Sequence, residues 1–298
     1  MSETYRPPAG RTLEWAGATL GGARIVRSRR LTGGLSAHID RLTVESRGER
    51  YDVVLRRWPP GEWGPGLVKR ESAALTALAA ARPPLSVPRL LAADATGEHT
   101  GASSLLMTAV AGRTELQAVD LDGYVAQLAV TLARVHDVPA NLEPTDPYGF
   151  DEHANRSWIG DPVLAGTAIE AAAAADGTPA FVHGDYQPLN VLWSGPRLSG
   201  LVDWAFAGRG VRELDVGHCR LALATLTSVG AAEDLLHRYK RETALRLDPR
   251  ADLRALLTYG PGWRSFVTRV VAGRAPVDLP GMTDRVTELL RRAVGRLG

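Results

Sequence analysis

The stretch Phe181-Val-His-Gly-Asp-Tyr-Gln-Pro-Leu-Asn190 constrains this chain more than any other. It sets an Asp on a short loop and an Asn five residues later, and Leu201-Val-Asp-Trp204 adds a second Asp at the end of an apolar run. Phosphoryl transfer from a nucleotide needs such a set: one carboxylate to orient the attacking hydroxyl, and an amide plus a carboxylate to hold the metal on the phosphates. With background residue frequencies, His-Gly-Asp-x4-Asn arises by chance on the order of once in a thousand chains of this length. The bland alternative is a polar turn between two strands.

At 298 residues, 45% of them hydrophobic and 23% charged, the chain has enough apolar content for one large domain or two lobes. A formal net charge of +2, with basic residues scattered and no basic arm, argues against a nucleic-acid partner. The single cysteine, Cys219, excludes an internal disulfide and a thiolate metal site, and reads as a small buried apolar residue. Residues 1–10 lack the basic-then-apolar pattern of a signal peptide, and no apolar run is long enough to span a bilayer. The expectation is a cytoplasmic protein, monomer or homodimer, with no membrane partner.

The first hundred residues read as strands interrupted by one helix. Thr12 to Leu20 and Ala23 to Leu31 contain strand-like runs, Ile39 to Ser46 alternates imperfectly, and Tyr51 to Trp58 is a clear strand. Trp63-Gly-Pro-Gly66 reads as a loop and Leu67 to Ala81 as a helix, followed by strands over Val87 to Ala92 and Ser103 to Val110. Leu121 to His136 is an amphipathic helix with Leu121, Tyr124, Val125, Leu128, Leu132 and Val135 on one face. A loop-rich segment spans Asn141 to Asp161, and Ile169 to Ala175 is Ala-rich and helical. Short strands around Val182, Val191 and Leu201 frame the polar motif, and helices follow over Val216 to Val229, Ala231 to Leu245, Pro249 to Tyr259 and Met282 to Leu297. The pattern is α+β: a β-rich lobe leads into a larger helical lobe, and the chemistry lies where a small β insert enters it. The expected boundaries are 1–108 for a nucleotide-binding lobe, 109–112 for a hinge and 113–298 for a catalytic and substrate-binding lobe.

Upstream, Gly33 and Gly34 sit between candidate strands, where glycine lets the backbone approach phosphate oxygens and Ser36 can add a hydroxyl donor. A plain hairpin turn is the alternative. In the strand Val53-Val-Leu-Arg-Arg57, Val54 and Arg56 share one face, suited to a base and its phosphates, unless both arginines are solvated edge residues. Glu71, early in the next helix, is placed to pair with Arg56 or to stay exposed. The connector from Met107 to Gly112 offers backbone groups to an adenine edge, or is an ordinary strand end. Asp215, ahead of a helix, is either an N-cap, which the local sequence favours, or a buried support for the catalytic loop. No P-loop, Gly-x-Ser-x-Gly elbow or His-Glu-x-x-His occurs, and His136, His183 and His218 are too dispersed for a zinc site.

Taken in order, these residues resemble the aminoglycoside phosphotransferase family, a branch of the bilobal protein-kinase-like fold that includes choline-type kinases. The resemblance runs from the Gly33-Gly34 loop and the Arg56 strand through Arg70-Glu71, Val87-Pro88-Arg89, Leu106-Met107 with Gly112, and Leu132-Ala-Arg-Val-His136. It continues through His183-Gly-Asp-x4-Asn190, Val202-Asp-Trp204 and Gly208 to Asp215. It implies that Asp185 is the catalytic base or hydroxyl-orienting group, and that Asn190 and Asp203 are magnesium ligands. Arg56 takes the place of the phosphate-binding lysine, Glu71 that of its ion-pair partner, and the backbone of Thr108 and Val110 holds adenine. His183 supports the catalytic loop. The implied cofactors are ATP, with GTP as the alternative nucleotide, and Mg2+. Three departures stand out: Arg in place of Lys, a fork rather than a point charge; Ala37 where an Asn is common; and Ala205 where an acidic residue is frequent.

The acceptor is a separate question, because a fold hosts many substrates. Between Gly210 and Gly298 there are ten Asp/Glu against fifteen Lys/Arg, a balance poorly suited to a polycationic aminoglycoside. It favours a neutral or anionic acceptor, such as a macrolide, a nucleoside-type antibiotic, a sugar-bearing natural product or a small metabolite. Tyr148, Phe150, Trp158, Tyr259, Trp263 and Phe266 are candidate pocket residues, each of which is equally at home in a core. The expected function is ATP- and Mg-dependent O-phosphorylation of a small molecule. The alternatives are a nucleotide-binding regulatory module that lost catalysis and a metabolic small-molecule kinase.

Overall fold

The computed structural model describes residues 5–31 and 37–298. Internal contacts divide the chain into two compact units, one formed by Met1–Ala80 and Ser86–Val110, the other by Ala81–Leu85 and Ala111–Gly298. The expected glycine loop, with Gly33, Gly34 and Ser36, lies outside the described residues.

The first unit begins with helix α1 (Gly10–Thr19), followed by β1 (Arg24–Arg30), β2 (His38–Ser46), β3 (Glu49–Arg57), α2 (Trp63–Ala81), β4 (Leu90–Asp94) and β5 (Ser104–Thr108). The strands form one antiparallel sheet in the order β1-β2-β3-β5-β4. Thr12 to Leu20 therefore departs from its strand-like reading. Leu13, Ala16 and Leu20 repeat at helical spacing and pack against the core residues Leu42, Val44, Val53, Leu55 and Leu106. A bare apolar sheet face needs a cover, and that tertiary demand overrides local β propensity. Gly17 lets α1 lie close, since a Cβ there would stand 2.7 Å from the Ala23 carbonyl oxygen. Trp63-Gly-Pro-Gly66 also differs from expectation: it forms the first turn of α2, where Pro65 costs no intrahelical hydrogen bond.

The second unit carries a short strand β6 (Arg113–Thr114), helix α3 (Leu121–His136), capped by the Asp120 carboxylate, and α4 (Pro162–Ala173). Two small sheets follow, built from β7 (Pro179–Val182), β8 (Val191–Ser194), β9 (Arg197–Leu201) and β10 (Gly208–Val211), with β10 paired to β7 and β8 set between β6 and β9. Five helices complete the unit: α5 (Arg212–Leu226), α6 (Val229–Thr243), α7 (Pro249–Leu256), α8 (Trp263–Val271) and α9 (Leu279–Val294). Neither β10 nor α8 was expected from the sequence. Helix α5 is the axis of this unit, buried along nearly its whole length. Its Arg220 is fully enclosed and paired with Asp252 and Glu233, which Arg296 also holds. Among the described residues, no helix is long and apolar enough to cross a membrane.

Candidate active site

The His-Gly-Asp loop leaves β7 and ends in a single 3-10 turn, Pro188–Asn190, that feeds β8. Gly184 has φ 80°, and a Cβ there would stand 2.3 Å from the Phe206 carbonyl oxygen, so only glycine fits the turn. The hairpin pairs Val191 with Leu201, which brings the residue before β8 beside those after β9. Val202 N–H donates to the Asn190 carbonyl at 3.0 Å, so Asn190 and Asp203 lie on neighbouring strand ends although thirteen residues separate them.

The loop is anchored from below by Asp215. Its Oδ2 accepts the His183 N–H at 2.7 Å and its Oδ1 the Gly184 N–H at 2.9 Å. His136 Nε2 lies 3.2 Å from the same carboxylate, and its Nδ1 is 2.6 Å from the Tyr239 hydroxyl. Burial opposes ionisation of Asp215, but these bonds and the two nearby histidines outweigh it and hold its pKa below the usual range. The local sequence favours an N-cap here, and the structure corrects this. Val211 occupies the N-cap position, and Asp215 points into the interior to satisfy two backbone donors that no strand could reach. His183 is fully buried, accepts the Asp185 N–H at Nδ1 (3.3 Å) and meets the Val202 carbonyl through Nε2 at 3.0 Å. That pairing fixes the neutral tautomer with hydrogen on Nε2, which suits a scaffold group rather than a proton carrier.

Asp185 is held on both carboxylate oxygens. Oδ1 accepts the Tyr148 hydroxyl at 2.7 Å and Gln187 Nε2 at 2.6 Å, and Oδ2 accepts Asn190 Nδ2 at 2.8 Å. Asn190 Nδ2 also donates to the Asp185 carbonyl at 2.8 Å. Burial, followed by the negative charge of Asp203, pushes Asp185 up to about 7, against the pull of its three donors. A carboxylate so poised can take a proton near neutral pH.

The donor set also fits a magnesium ion. Both amide hydrogens of Asn190 are committed to Asp185, which leaves its Oδ1 with no hydrogen bond among the described residues. Asp203 supplies a carboxylate whose charge reaches Asp185, and a cation would relieve that repulsion. One carboxylate, one amide oxygen and phosphate oxygens make a magnesium-type set. No cluster of three or more His, Cys, Asp or Glu side chains suited to a metal occurs among the described residues. Asp203 has φ 68°, a left-handed backbone that costs a non-glycine residue on the order of 1 kcal/mol or more. The next side chain, Trp204, is buried and stacks on Phe181 at 5.9 Å, locking the turn. Ala205 is buried too, so an acidic side chain there would need room this chain does not provide.

In the first unit, Arg56 Nη1 meets both carboxylate oxygens of Glu71, at 3.2 and 3.0 Å, and its guanidinium lies over the Trp58 ring at 4.6 Å. Both partners are buried, which settles the solvated-edge and exposed-helix alternatives against themselves. Val54 pairs with Met107, and the Thr108 N–H is committed to the Arg89 carbonyl at 2.9 Å. Any contact of Thr108 with a base therefore passes to its carbonyl, leaving Val110 as the other candidate. Of the six aromatic candidates, Tyr148 alone is hydrogen-bonded to a member of the polar motif. Trp158, Tyr259 and Trp263 form an internal stack, Phe150 lies under Arg156 and Arg254, and Phe266 is exposed.

Residues 28–254 match the APH phosphotransferase enzyme family. The chain belongs to that family. Its mixed α+β fold is shared with a macrolide 2'-phosphotransferase from Brachybacterium faecium, at TM-score 0.58 and 17% identity over 93% of this chain and 97% of that one. An ADP-bound aminoglycoside phosphotransferase has the same fold, at TM-score 0.57 and 16% identity over 96% and 98% of the two chains. A homoserine kinase from Rhodopseudomonas palustris is 36% identical over 94 residues, 30% of this chain. That stretch spans only 28% of the homoserine kinase.

Within this site, sequence reasoning missed His136, Tyr239 and Gln187 as supports of the loop, and it missed His218. The ring of His218 meets Tyr148 edge to face at 4.2 Å, and neither of its nitrogens has a partner among the described residues. Burial drops its imidazole to about 4, against the attraction of Asp215, so it stays neutral in the fold. The unfolded chain binds its proton near pH 6.5 and the folded chain near 4, so between those values folding releases a proton and stability falls as the pH is lowered. His218 alone should remove up to about 3 kcal/mol of unfolding free energy across that window. Denaturant titrations of wild type and His218→Phe should run parallel above about pH 6.5, offset only by the change in packing, and separate as the pH falls toward 4, where wild type loses stability that the variant keeps.

Proposed function

We propose that this chain transfers the γ-phosphoryl group of ATP to a hydroxyl of a neutral small molecule, in the manner of an antibiotic-modifying kinase. The observation that carries this reading is Asp185, pinned on both oxygens and set on a loop that Asp215 anchors through two backbone N–H groups. Asp185 aligns the acceptor hydroxyl and takes its proton as the new bond to phosphorus forms. Asn190 Oδ1 and the Asp203 carboxylate are the residues suited to hold a magnesium ion, which when bound neutralises charge on the phosphate oxygens. In the sheet unit, Arg56, fixed by Glu71, is the candidate for phosphate recognition, and Val54, Thr108 and Val110 are the candidates for the base.

Support for a neutral acceptor comes from the surroundings of Asp185 rather than from the charge count. Many basic side chains of the last ninety residues already have partners within the chain: Arg220, Arg238, Arg285, Arg291, Arg292 and Arg296 are in ion pairs, those of Arg291 and Arg292 at the surface, and Arg254 and Arg274 bind backbone carbonyls. The groups packed on Tyr148 are Phe206 and the neutral His218, with Asp185 at its hydroxyl. That wall offers aromatic faces, and the carboxylates near it, Asp185, Asp203 and Asp215, are those that the phosphoryl-transfer reading already employs. A second reading, a metabolic kinase for a small alcohol, draws on the partial likeness to homoserine kinases.

A panel of a macrolide, a nucleoside antibiotic, hygromycin B, choline and homoserine, incubated with ATP and with or without Mg2+, tests both. Phosphorylation of a neutral antibiotic, dependent on Mg2+, is the expected result. Transfer to homoserine alone would favour the second reading. ATP binding with no transfer to any acceptor would identify a nucleotide-binding module without catalysis.

A further inference from the structure

Three donors occupy the Asp185 carboxylate, and they are not equivalent. Asn190 holds Oδ2 and the main-chain carbonyl together, and Gln187 sits in the catalytic loop itself. The third, Tyr148, comes from the loop between α3 and α4 and is 42% exposed. Its hydroxyl donates to Oδ1 at 2.7 Å, the bond that an acceptor hydroxyl must make with this carboxylate. Desolvation, then the charge of Asp185, raises the phenol pKa well above its usual value, so it remains a donor.

The ring is held by packing alone. It meets His218 edge to face at 4.2 Å and Phe206 at 6.3 Å, and its hydroxyl makes no hydrogen bond besides that to Asp185 among the described residues. Behind it, His218 is 8% exposed and has two unpartnered ring nitrogens. An aromatic side chain that caps a reactive carboxylate with its own hydroxyl, and covers an unsatisfied imidazole, is a stopper rather than a structural tie.

We propose that Tyr148 is a displaceable surrogate for the acceptor, closing Asp185 to water until an acceptor hydroxyl takes its place and uncovers His218 to a neutral polar group of the same molecule. The inference rests on the phosphoryl-transfer reading of the site. Without the stopper, a water molecule can sit at Oδ1. Its oxygen then bonds to the γ-phosphorus while the bond from that phosphorus to the β–γ bridging oxygen breaks. ADP leaves with the electron pair, and the proton of the water passes to Asp185 and on to solvent. Excluding water in this way suppresses a wasteful side reaction.

The test uses the full chain with ATP and Mg2+ and no acceptor. Tyr148→Phe keeps the ring against His218 and Phe206 but removes the hydroxyl, and it should release ADP about fivefold faster or more than wild type. The Tyr148→Phe, Asp185→Ala double variant should fall back to the wild-type rate or below. A Tyr148→Phe rate equal to or lower than wild type overturns the proposal, because a purely structural tyrosine gives no gain. A second readout needs no turnover. In fluorotyrosine-labelled protein, the fluorine resonance lost in Tyr148→Phe should shift in Asp185→Ala, and an unmoved resonance also overturns it. Calorimetry with ATP and Mg2+ separates the two levels: no binding in wild type sinks the phosphotransfer reading, whereas binding without the Tyr148→Phe gain sinks only the stopper.

Discussion

Asp185→Ala should lower kcat for phosphoryl transfer by a factor of about 10²–10⁴ while leaving ATP binding within a few-fold of wild type. The carboxylate is the one acceptor on which Tyr148, Gln187 and Asn190 converge, and its position near pH 7 makes it a competent proton acceptor. Its removal takes away both the alignment of the hydroxyl and the destination of its proton. The loop should persist in the variant, because Asp215 holds it through the backbone N–H groups of His183 and Gly184, which the substitution leaves in place. Single-turnover kinetics beside nucleotide titration separates the effects. A kcat within tenfold of wild type would remove Asp185 from the chemistry, and loss of nucleotide binding together with kcat would recast it as a scaffold residue.

Asp203→Asn should cost on the order of a hundredfold or more in turnover at moderate magnesium, partly recovered as magnesium is raised. Asparagine keeps the shape and accepts the left-handed backbone of Asp203, which few side chains do. The charge is lost, and one acceptor oxygen becomes an amide donor. In the absence of metal, the variant should melt no lower than wild type, since the charge that pushes Asp185 upward is gone. Melting curves with and without Mg2+, beside turnover at several magnesium concentrations, test both statements. Near-normal turnover at limiting magnesium would contradict the assignment, and a melting point well below wild type would show that the carboxylate serves the fold.

What the sequence revealed was local, and what it hid was supplied from a distance. The alternation of Val53 to Arg57 places Arg56 opposite Leu55 at a spacing of one residue, and Leu121 to His136 shows its apolar face within four turns. Asp185, Asn190 and Asp203 stand close together in the chain, so their convergence could be anticipated. Asp215 was harder to assign: its partners lie 31 and 32 residues earlier, and its own neighbours look like the start of a helix. Thr12 to Leu20 reads locally as strand-like, and it is the uncovered face of the sheet that makes it a helix. His218 reads in sequence as one of several polar residues in α5, and its meaning appears only when Tyr148, seventy residues away, folds against it. The count of arginines is a weak guide to the acceptor, because a guanidinium such as that of Arg220 answers carboxylates inside the protein and contributes little to its outer field.

The left-handed turn at Asp203 also bears on how this lineage can change. A single-nucleotide change converts an aspartate codon to asparagine or to glycine, and these are the two residues that such a backbone accepts most readily. On the proposed metal-holding role, the position is thus unusually open to mutations that would silence phosphoryl transfer and spare the fold. At Gly184 the reverse holds, since any side chain collides with the Phe206 carbonyl and endangers folding itself. Descendants of this chain that abandon catalysis should therefore do so through Asp203 far more often than through Gly184, and should persist as well-folded nucleotide receptors.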